Sequence, residues 1–417
     1  MQINLTNKTI LLGVTGSISV YKACDLARLF IKAGANVHVV MTTSAERFVS
    51  ALTFEALTRN AVLTEETESW ASELNHIDIG KACDVFVVAP ATANTLNKIA
   101  QGIADNILTQ TLLAFNKTVL VAPAANTNMI EDISTKKSLE ILEANGVQII
   151  NSQSKLLACG DTGNGALAEP IEIFHQCTKA LLQEDFWNNR KVIVTGGGTR
   201  EKIDEVRYVS NFSSGKMANA LVTALYLRGA EVTFITTKEH TDIPLEISTI
   251  DITSAKEMKE VVINSIKNAL ESETLVPNKK PFLFMAAAVA DFTPKSPNDG
   301  KTKKVDIGNE WNIEMKQTED ILKSIAIEKQ KNNFNIMTIG FKAEMGAEKG
   351  FSNAKSLIEN KNVDGVCYNL LKDSQSFGTN NNSITFITAD KSVDLGTASK
   401  LDLSFKILRE SRKLTNE

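Results

Sequence analysis

One phrase, stated twice, constrains this chain more than any other feature. Residues 10–17 read ILLGVTGS and residues 192–199 read VIVTGGGT. Each is an apolar run that breaks into a glycine turn ahead of a helical pattern. Each helical stretch then ends in Gly-Ala and a second apolar run, GANVHVVM at 34–41 and GAEVTFIT at 229–236. This is the sequence form of strand, anion-binding turn, helix and parallel strand. Two such openings predict two nucleotide-scale sites in two α/β domains.

The chain is long enough for that. At 417 residues it can build two or three cores. Its 43% apolar and 23% charged content is that of a globular protein. The longest apolar runs, such as 85–91, are far too short to span a bilayer, so no membrane partner is expected. A net charge of −4 argues against a general nucleic-acid surface. The five cysteines, Cys24, Cys83, Cys159, Cys177 and Cys367, form no C-x-x-C pair and match no zinc spacing. Free thiols and the absence of a cleavable signal pattern predict a cytoplasmic protein.

Strand-like runs at 9–12, 37–41, 85–89, 119–122 and 147–150 alternate with helical patterns such as 20–33 and 98–114, which implies a parallel, doubly wound sheet. Polar clusters follow the strands: Gly16-Ser17, Thr42-Thr43-Ser44, Thr92-Ala93-Asn94 and Ala124-Ala125-Asn126. Ligands of such sheets bind at the carboxyl ends of the strands, so these loops outline one pocket. The expected division is a first domain over 1–183, a linker over 184–190 and a second domain over 191–417. Strands are expected there at 192–195, 232–236, 282–286, 337–341, 365–368 and 383–387. Residues 291–308 read as a loop carrying Lys301, Lys303 and Lys304, and the tail from 401 as polar and helical at best.

Three clusters carry chemistry. In PATANTLNKIAQGIADN at 90–106, small and hydroxyl side chains let a flat ring approach the backbone, with Asn94 and Thr95 able to satisfy its heteroatoms; Thr92 or Asn94 capping the helix is the plainer alternative. His76 precedes the strand leading to that loop, although a lone histidine is more often structural. Cys159 lies in ACGDTGNG at 158–165, a glycine-rich loop suited to a flap that presents a thiol; an ordinary loop is the alternative.

These residues resemble a known pair of families. The first half resembles the flavin-dependent cysteine decarboxylases, in particular phosphopantothenoylcysteine decarboxylase. The second resembles phosphopantothenate–cysteine ligase, through TREKIDEVRYVSNFSSGKM at 199–217, MAAAVADF at 285–292 and KTKK at 301–304. Their order matches the bifunctional coenzyme A biosynthesis family of bacteria. The resemblance implies two doubly wound, Rossmann-like α/β domains: an N-terminal flavodoxin-like flavoprotein domain and a C-terminal nucleotide-binding ligase domain.

In the first domain the resemblance implies FMN, with Gly16, Ser17 and Ile18 near its phosphate, Ser44, Thr92, Ala93, Asn94 and Thr95 holding the remainder, and Ala124 against the ring. His76 falls on the family's catalytic histidine, Asn126 on its substrate-binding asparagine beside Met129, and Cys159 on its proton donor. The chemistry needs such a set: oxidising the cysteinyl thiol to a thioaldehyde creates the electron sink that decarboxylation requires, and the enethiol left behind must be protonated and reduced. In the second domain CTP with Mg2+ activates 4′-phosphopantothenate as an acyl cytidylate, which L-cysteine then attacks. Asn211 and Arg207 are implied to hold that intermediate, and Met285, Ala286, Ala287 and Asp291 the cytidine. Phe341 would stack on the base, Glu319, Asp320, Ile321 and Leu322 form another nucleotide contact, and Lys301 and Lys361 meet phosphate. Ala125, Ile130 and Ala166 are smaller than the family residues, and Leu357 stands at a family lysine. The small residues leave open an active ligase whose N-terminal half only binds flavin or partners. The family also implies a homo-oligomer of trimeric flavin domains and dimeric ligase domains.

Overall fold

A computed structural model describes residues 3–72, 74–156, 162–237, 243–271, 279–345, 347–370 and 378–415. Two compact units divide the chain, residues 2–182 and 183–417. Among the described residues no helix is long and apolar enough to cross a membrane.

The first unit runs β1 (Thr9–Val14), α1 (Val20–Lys32), β2 (Asn36–Met41), α2 (Thr43–Glu46), α3 (Ala51–Thr58), β3 (Val62–Leu63), α4 (Asp78–Ala82), β4 (Val85–Ala91), α5 (Ala93–Ala100) and α6 (Ile107–Leu113). It continues with β5 (Thr118–Pro123), α7 (Thr127–Glu131), α8 (Ile133–Ala144), β6 (Gln148–Ile149), β7 (Gln153–Leu156), β8 (Thr162–Ala166) and α9 (Pro170–Leu182). Six strands form a parallel sheet in the order β3-β2-β1-β4-β5-β6. That is the doubly wound order; without the two-residue β3 it reads as the flavodoxin arrangement. Strands in such a sheet are covered on both faces, which is why VFVVAPA of β4 is apolar throughout and wholly buried. Helix α1 is amphipathic instead, burying Val20, Ala23, Leu26, Ala27 and Phe30 at helical spacing.

The second unit opens with β9 (Lys191–Gly196), β10 (Glu201–Lys202), β11 (Tyr208–Val209), α10 (Lys216–Leu227), β12 (Glu231–Thr236), β13 (Ser248–Asp251), α11 (Ala255–Glu271), β14 (Phe282–Met285), β15 (Phe292–Pro294) and α12 (Lys304–Ile307). Then come β16 (Met315–Gln317), α13 (Ile321–Asn332), β17 (Met337–Glu344), α14 (Ala347–Lys361), β18 (Gly365–Leu370), β19 (Asn381–Ile387), β20 (Ser392–Ser399) and α15 (Lys400–Arg412). Its sheet order is β13-β12-β9-β14-β17-β18-β19-β20. The first six strands are parallel and repeat the topology of the first unit; β19 and β20 add an antiparallel edge. The two Gly-Ala phrases occupy equivalent places. Gly34 after α1 and Gly229 after α10 have φ of 87° and 91°, the left-handed turn that returns each chain to its sheet.

Four sequence expectations change. The helical pattern over 98–114 is two helices, because Gly102 turns left-handed at φ 68° and Asn106 starts α6 with a reciprocal capping box to Thr109. Residues 184–190 are no free linker: Trp187 and Arg190 are each 1% exposed. The Arg190 guanidinium lies 3.9 Å from the Phe186 ring centroid and donates to Lys280 O. The polar tail is a packed helix, α15, which buries Leu401, Leu403, Ile407 and Leu408 against α10, β19 and β20. The loop over 291–308 contains β15 and α12, with β15 paired to β16.

Thr15 locks the end of β1 to the end of β4. Its buried hydroxyl donates to Pro90 O at 2.7 Å and accepts from Thr92 N at 3.0 Å. Thr15→Val keeps the shape but strands Thr92 N–H and leaves Pro90 O with only the longer 3.3 Å bond from the backbone N–H of residue 15, at a cost of about 2 kcal/mol. A fall of roughly 4–8 °C in the N-terminal unit's thermal transition is expected by calorimetry, and an unchanged transition would contradict the role of this tie.

Candidate active sites

The loops that leave the carboxyl ends of β1, β2, β4 and β5 surround a cavity of about 480 Å3 in the first unit. Gly16 and Ser17 come from the first loop, Ser44 with Thr42 and Thr43 from the second, Thr92, Asn94 and Thr95 from the third, and Ala124 with Ala125 from the fourth; Met129 adds its side chain. The cavity sits where the strand order reverses between β1 and β4, the ligand crevice of doubly wound sheets. Thr92 both lines the cavity and caps α5, its Oγ1 accepting from Thr95 N at 3.3 Å, so the capping and binding readings coexist. Ala93 is buried beneath the loop, and Ile18 points to solvent at 56% exposure; neither lines the cavity. Lys98 and Asp105 also wall it, joined by an ion pair of 2.7 Å. The Lys98 ammonium holds the Asp105 carboxyl below its ordinary range. Their pairing spans the break between α5 and α6.

Asn126 lies one residue beyond the lining position Ala125 and caps α7, its Oδ1 accepting from Asn128 N at 2.9 Å. The β7–β8 hairpin roots on this segment. Ala125 N donates to Gly165 O at 3.0 Å, and the Thr127 hydroxyl donates to Asn164 O at 2.8 Å. Cys159, within this hairpin's sequence, lies outside the described residues. Ile130, where the family carries a larger residue, is 5% exposed. His76 does not line the cavity of its own chain. Its Nδ1 is 2.7 Å from Glu68 Oε1, and its ring meets Trp70 edge-on at 5.6 Å.

In the second unit a cavity of about 530 Å3 lies across the carboxyl ends of β14, β17 and β18. Asn211, Ser213, Ser214 and Gly215 form its wall ahead of α10, Ala286, Ala287 and Asp291 that beyond β14, and Phe341 that of β17. The glycine turn after β9 holds this site together rather than lining it. Ala288 N donates to Gly197 O at 2.8 Å, Thr199 N to Ala288 O at 3.1 Å, and Ala290 N to the buried Thr199 hydroxyl at 2.9 Å. Asn211 Nδ2 donates to Val289 O at 2.9 Å and ties the loop ahead of α10 to the 288–290 segment. Met285 is buried under the site with its sulfur 3.8 Å from the Thr195 hydroxyl.

The remaining expected residues gather outside that cavity. Arg207 pairs with Asp204 at 2.8 Å, donates to Thr302 O and lies over the Trp311 ring at 4.9 Å. Lys301 is exposed beside this anchor. Lys361 pairs with Asp320 at 2.7 Å, and Asp320 caps α13. Glu319 pairs with Lys259. Ile321 is buried, while Leu322 and Leu357 pack around the cluster of Ala354, Val363 and Val366. A leucine at the family's lysine position therefore serves the core here.

Asp204 is the base of the lysine loop. Its buried carboxylate accepts from Val206 N and Arg207 N, each at 2.8 Å, and from Thr302 N at 3.2 Å. Against the upward push of burial, these donors and the Arg207 charge hold its pKa below the ordinary value. Asp204→Asn keeps the size but replaces acceptor capacity with an NH2, so the loop loses its anchor. A rise of about tenfold in the nucleotide KM is expected from initial rates, together with a lowered thermal transition of the C-terminal unit, because buried N–H donors and the Arg207 charge lose their acceptor.

Sequence reasoning missed Asn369 of β18, Asn382 of β19 and Lys400 of α15, which line the second cavity. Their only signal was a polar residue at each strand or helix end.

Both halves match known families. The flavoprotein family matches residues 2–182, and the DNA/pantothenate metabolism flavoprotein C-terminal domain matches residues 187–414. The coenzyme A biosynthesis bifunctional protein CoaBC of Bacillus subtilis (strain 168) is 39% identical over 419 residues, covering 99% of this chain and 98% of the relative. The CoaBC protein of Vibrio parahaemolyticus serotype O3:K6 is 34% identical over 412 residues, covering 98% and 99%. A crystal structure of the C-terminal domain of a CoaBC protein is 28% identical with a TM-score of 0.43, covering 55% of this chain and 98% of that one. With both family matches in order and relatives aligned from end to end, this chain belongs to the family of coenzyme A biosynthesis bifunctional proteins.

Proposed function

We propose that the two cavities carry the two activities of this bifunctional coenzyme A enzyme in series. Residues 191–417 ligate L-cysteine to 4′-phosphopantothenate at the expense of CTP, and residues 1–183 decarboxylate the product to 4′-phosphopantetheine. The observation that carries this reading is that each unit opens one cavity at its strand ends, in a chain that aligns from end to end with coenzyme A biosynthesis bifunctional proteins.

In the first unit, Gly16, Ser17, Ser44, Thr92, Asn94, Thr95 and Ala124 would hold FMN. The fit rests on Gly16, where a Cβ would stand 2.5 Å from Ser44 Cβ: only glycine lets the turn after β1 close against the start of α2, so that both segments wall one cavity with backbone and hydroxyl groups suited to a phosphate. A cavity of about 480 Å3 also lies within the range of cofactor sites. Bound flavin supplies the electron acceptor and donor for the thiol carbon. Asn126 holds the substrate, with Met129 beside it, and Cys159 delivers the last proton. His76, which does not line the cavity of its own chain, serves the cavity of a neighbouring copy. The exposed Ile18, Phe48, Leu52 and Trp70 support such an assembly, with trimeric flavin domains and dimeric ligase domains.

In the second unit, Asn211 holds the acyl cytidylate from the cavity wall, and Arg207 reaches it from the Asp204 anchor outside that wall, while the cysteine amine displaces CMP. Ala286, Ala287 and Asp291 bind the cytidine, Phe341 stacks on its base, and Lys301 swings over the triphosphate from the loop anchored on Asp204. Asp291 is the one carboxylate among the described residues of the cavity wall. One carboxylate plus phosphate oxygens is the way Mg2+ is usually held. The protein works in the cytoplasm.

The test supplies 4′-phosphopantothenate, cysteine, CTP and Mg2+ to the purified chain and follows pyrophosphate and CO2. Both products are expected. Pyrophosphate without CO2 would instead select the reading in which the N-terminal half only binds flavin or partners, and absence of both would end the proposal.

A further inference from the structure

Two lysines of the second unit sit where helix electrostatics argue against them. Lys216 is the first residue of α10 and Lys400 the first of α15. A helix N-terminus carries partial positive charge and favours anions. The two helices pack on each other, and both lysines close on the same loop. Lys216 Nζ donates to Gly378 O at 2.7 Å and to Asn380 Oδ1 at 3.0 Å, while Lys400 Nζ donates to Thr379 O.

Lys400 is more than a clasp. It is only 7% exposed, and it lines the 530 Å3 cavity beside Gly378 and Asn382. Among the described residues its ammonium meets Thr379 O and no carboxylate. Burial, then the neighbouring Lys216 charge, pushes its pKa down to about 8. A buried cation without a counter-charge is costly unless something anionic arrives. The same cavity receives Ser213, Ser214 and Gly215 from the start of α10, so an oxyanion there meets backbone donors as well as an ammonium.

We propose that Lys400 binds a phosphoryl oxyanion of the ligand in this cavity, with Lys216 fixing the 378–380 loop that walls it. This rests on the cavity being the ligase site and adds the C-terminal helix to its binding surface. The oxyanion belongs either to the nucleotide triphosphate or to the phosphate of 4′-phosphopantothenate.

The test titrates the full chain, as wild type, Lys400→Gln and Lys400→Arg, with inorganic pyrophosphate, CTP and 4′-phosphopantothenate by calorimetry. Lys400→Gln is expected to weaken pyrophosphate binding by roughly tenfold or more, and Lys400→Arg to stay within about threefold of wild type. A parallel loss for CTP alone assigns the site to the nucleotide; a loss for 4′-phosphopantothenate alone assigns it to that phosphate. Equal binding of all three by Lys400→Gln and wild type overturns the proposal, as does a wild type that binds no pyrophosphate. If Lys400→Gln does not fold, Lys216→Gln takes its place: weaker pyrophosphate binding supports the lysine pair, and unchanged binding overturns it. A wild type that binds pyrophosphate through Lys400 yet consumes no CTP would end the ligase reading while leaving the oxyanion site standing.

Discussion

Gly16→Val is expected to give a colourless protein that still releases pyrophosphate from CTP but evolves no CO2. Gly16 ends the turn after β1, and a Cβ there would stand 2.5 Å from Ser44 Cβ and 3.0 Å from the Ser44 carbonyl carbon. Valine adds two methyl groups to that overlap. The obstacle is partly backbone, so no rotamer change relieves it, and α2 must move away from β1. Both residues wall the 480 Å3 cavity, so the movement deforms the place where the flavin phosphate is expected. Overpacking of this kind costs about 1–3 kcal/mol. Spent entirely on the bound state, about 2 kcal/mol is roughly a 30-fold loss of flavin affinity. The visible flavin absorbance of the purified protein measures the first effect. Ligation measures the second, because the two units have separate cores and the strain stays in the first. A yellow Gly16→Val protein with normal CO2 release would remove Gly16 from the flavin site.

Much of the first cavity was legible for a simple reason. In a parallel sheet the strands are continuous apolar runs, so the polar residues that interrupt them mark the strand ends. Gly16-Ser17, Ser44, Thr92 and Ala124 are such interruptions, and all line the cavity. The Lys98–Asp105 pair was hidden because it forms across a helix break that Gly102 and Asn106 create, and periodicity alone reads the stretch as one helix. Edge strands were hidden too. STID of β13 is largely exposed and lacks the signature of a buried strand. Helix α15 misled for the opposite reason: Lys400, Ser404, Glu410 and Ser411 are buried polar residues, and a polar sequence reads as solvated until its partners are known.

Charge was the poorest guide to the second cavity. Lys361, expected at phosphate, pairs with Asp320 and does not line the cavity, while Lys400, without any motif to mark it, lines the wall. A lysine's long stem lets its ammonium lie well away from its own backbone, so sequence proximity to a motif says little about where the charge ends up. Short, rigid side chains such as those of Asn211, Ala287 and Asp291 have no such freedom, and each of these lines the cavity.

Asn211→Ala is expected to reverse the pattern of Gly16→Val, leaving a yellow protein that decarboxylates supplied 4′-phosphopantothenoylcysteine but barely ligates. Asn211 Nδ2 donates to Val289 O, another residue of the cavity wall, at 2.9 Å. Asn211 is exposed, so water replaces its amide at Val289 O and the folding cost is small. The catalytic cost is large, because the amide is proposed to hold the developing acyl cytidylate, where loss of one positioned donor lowers kcat by about 10²–10³. Asn211→Asp sharpens the point: it keeps the shape, loses the NH2 donor and adds a negative charge beside an anionic intermediate. If the donor matters, Asp is at least as damaging as Ala. A fall of less than about fivefold in pyrophosphate release for both variants, with KM unchanged, would place the holding of the intermediate elsewhere in the cavity.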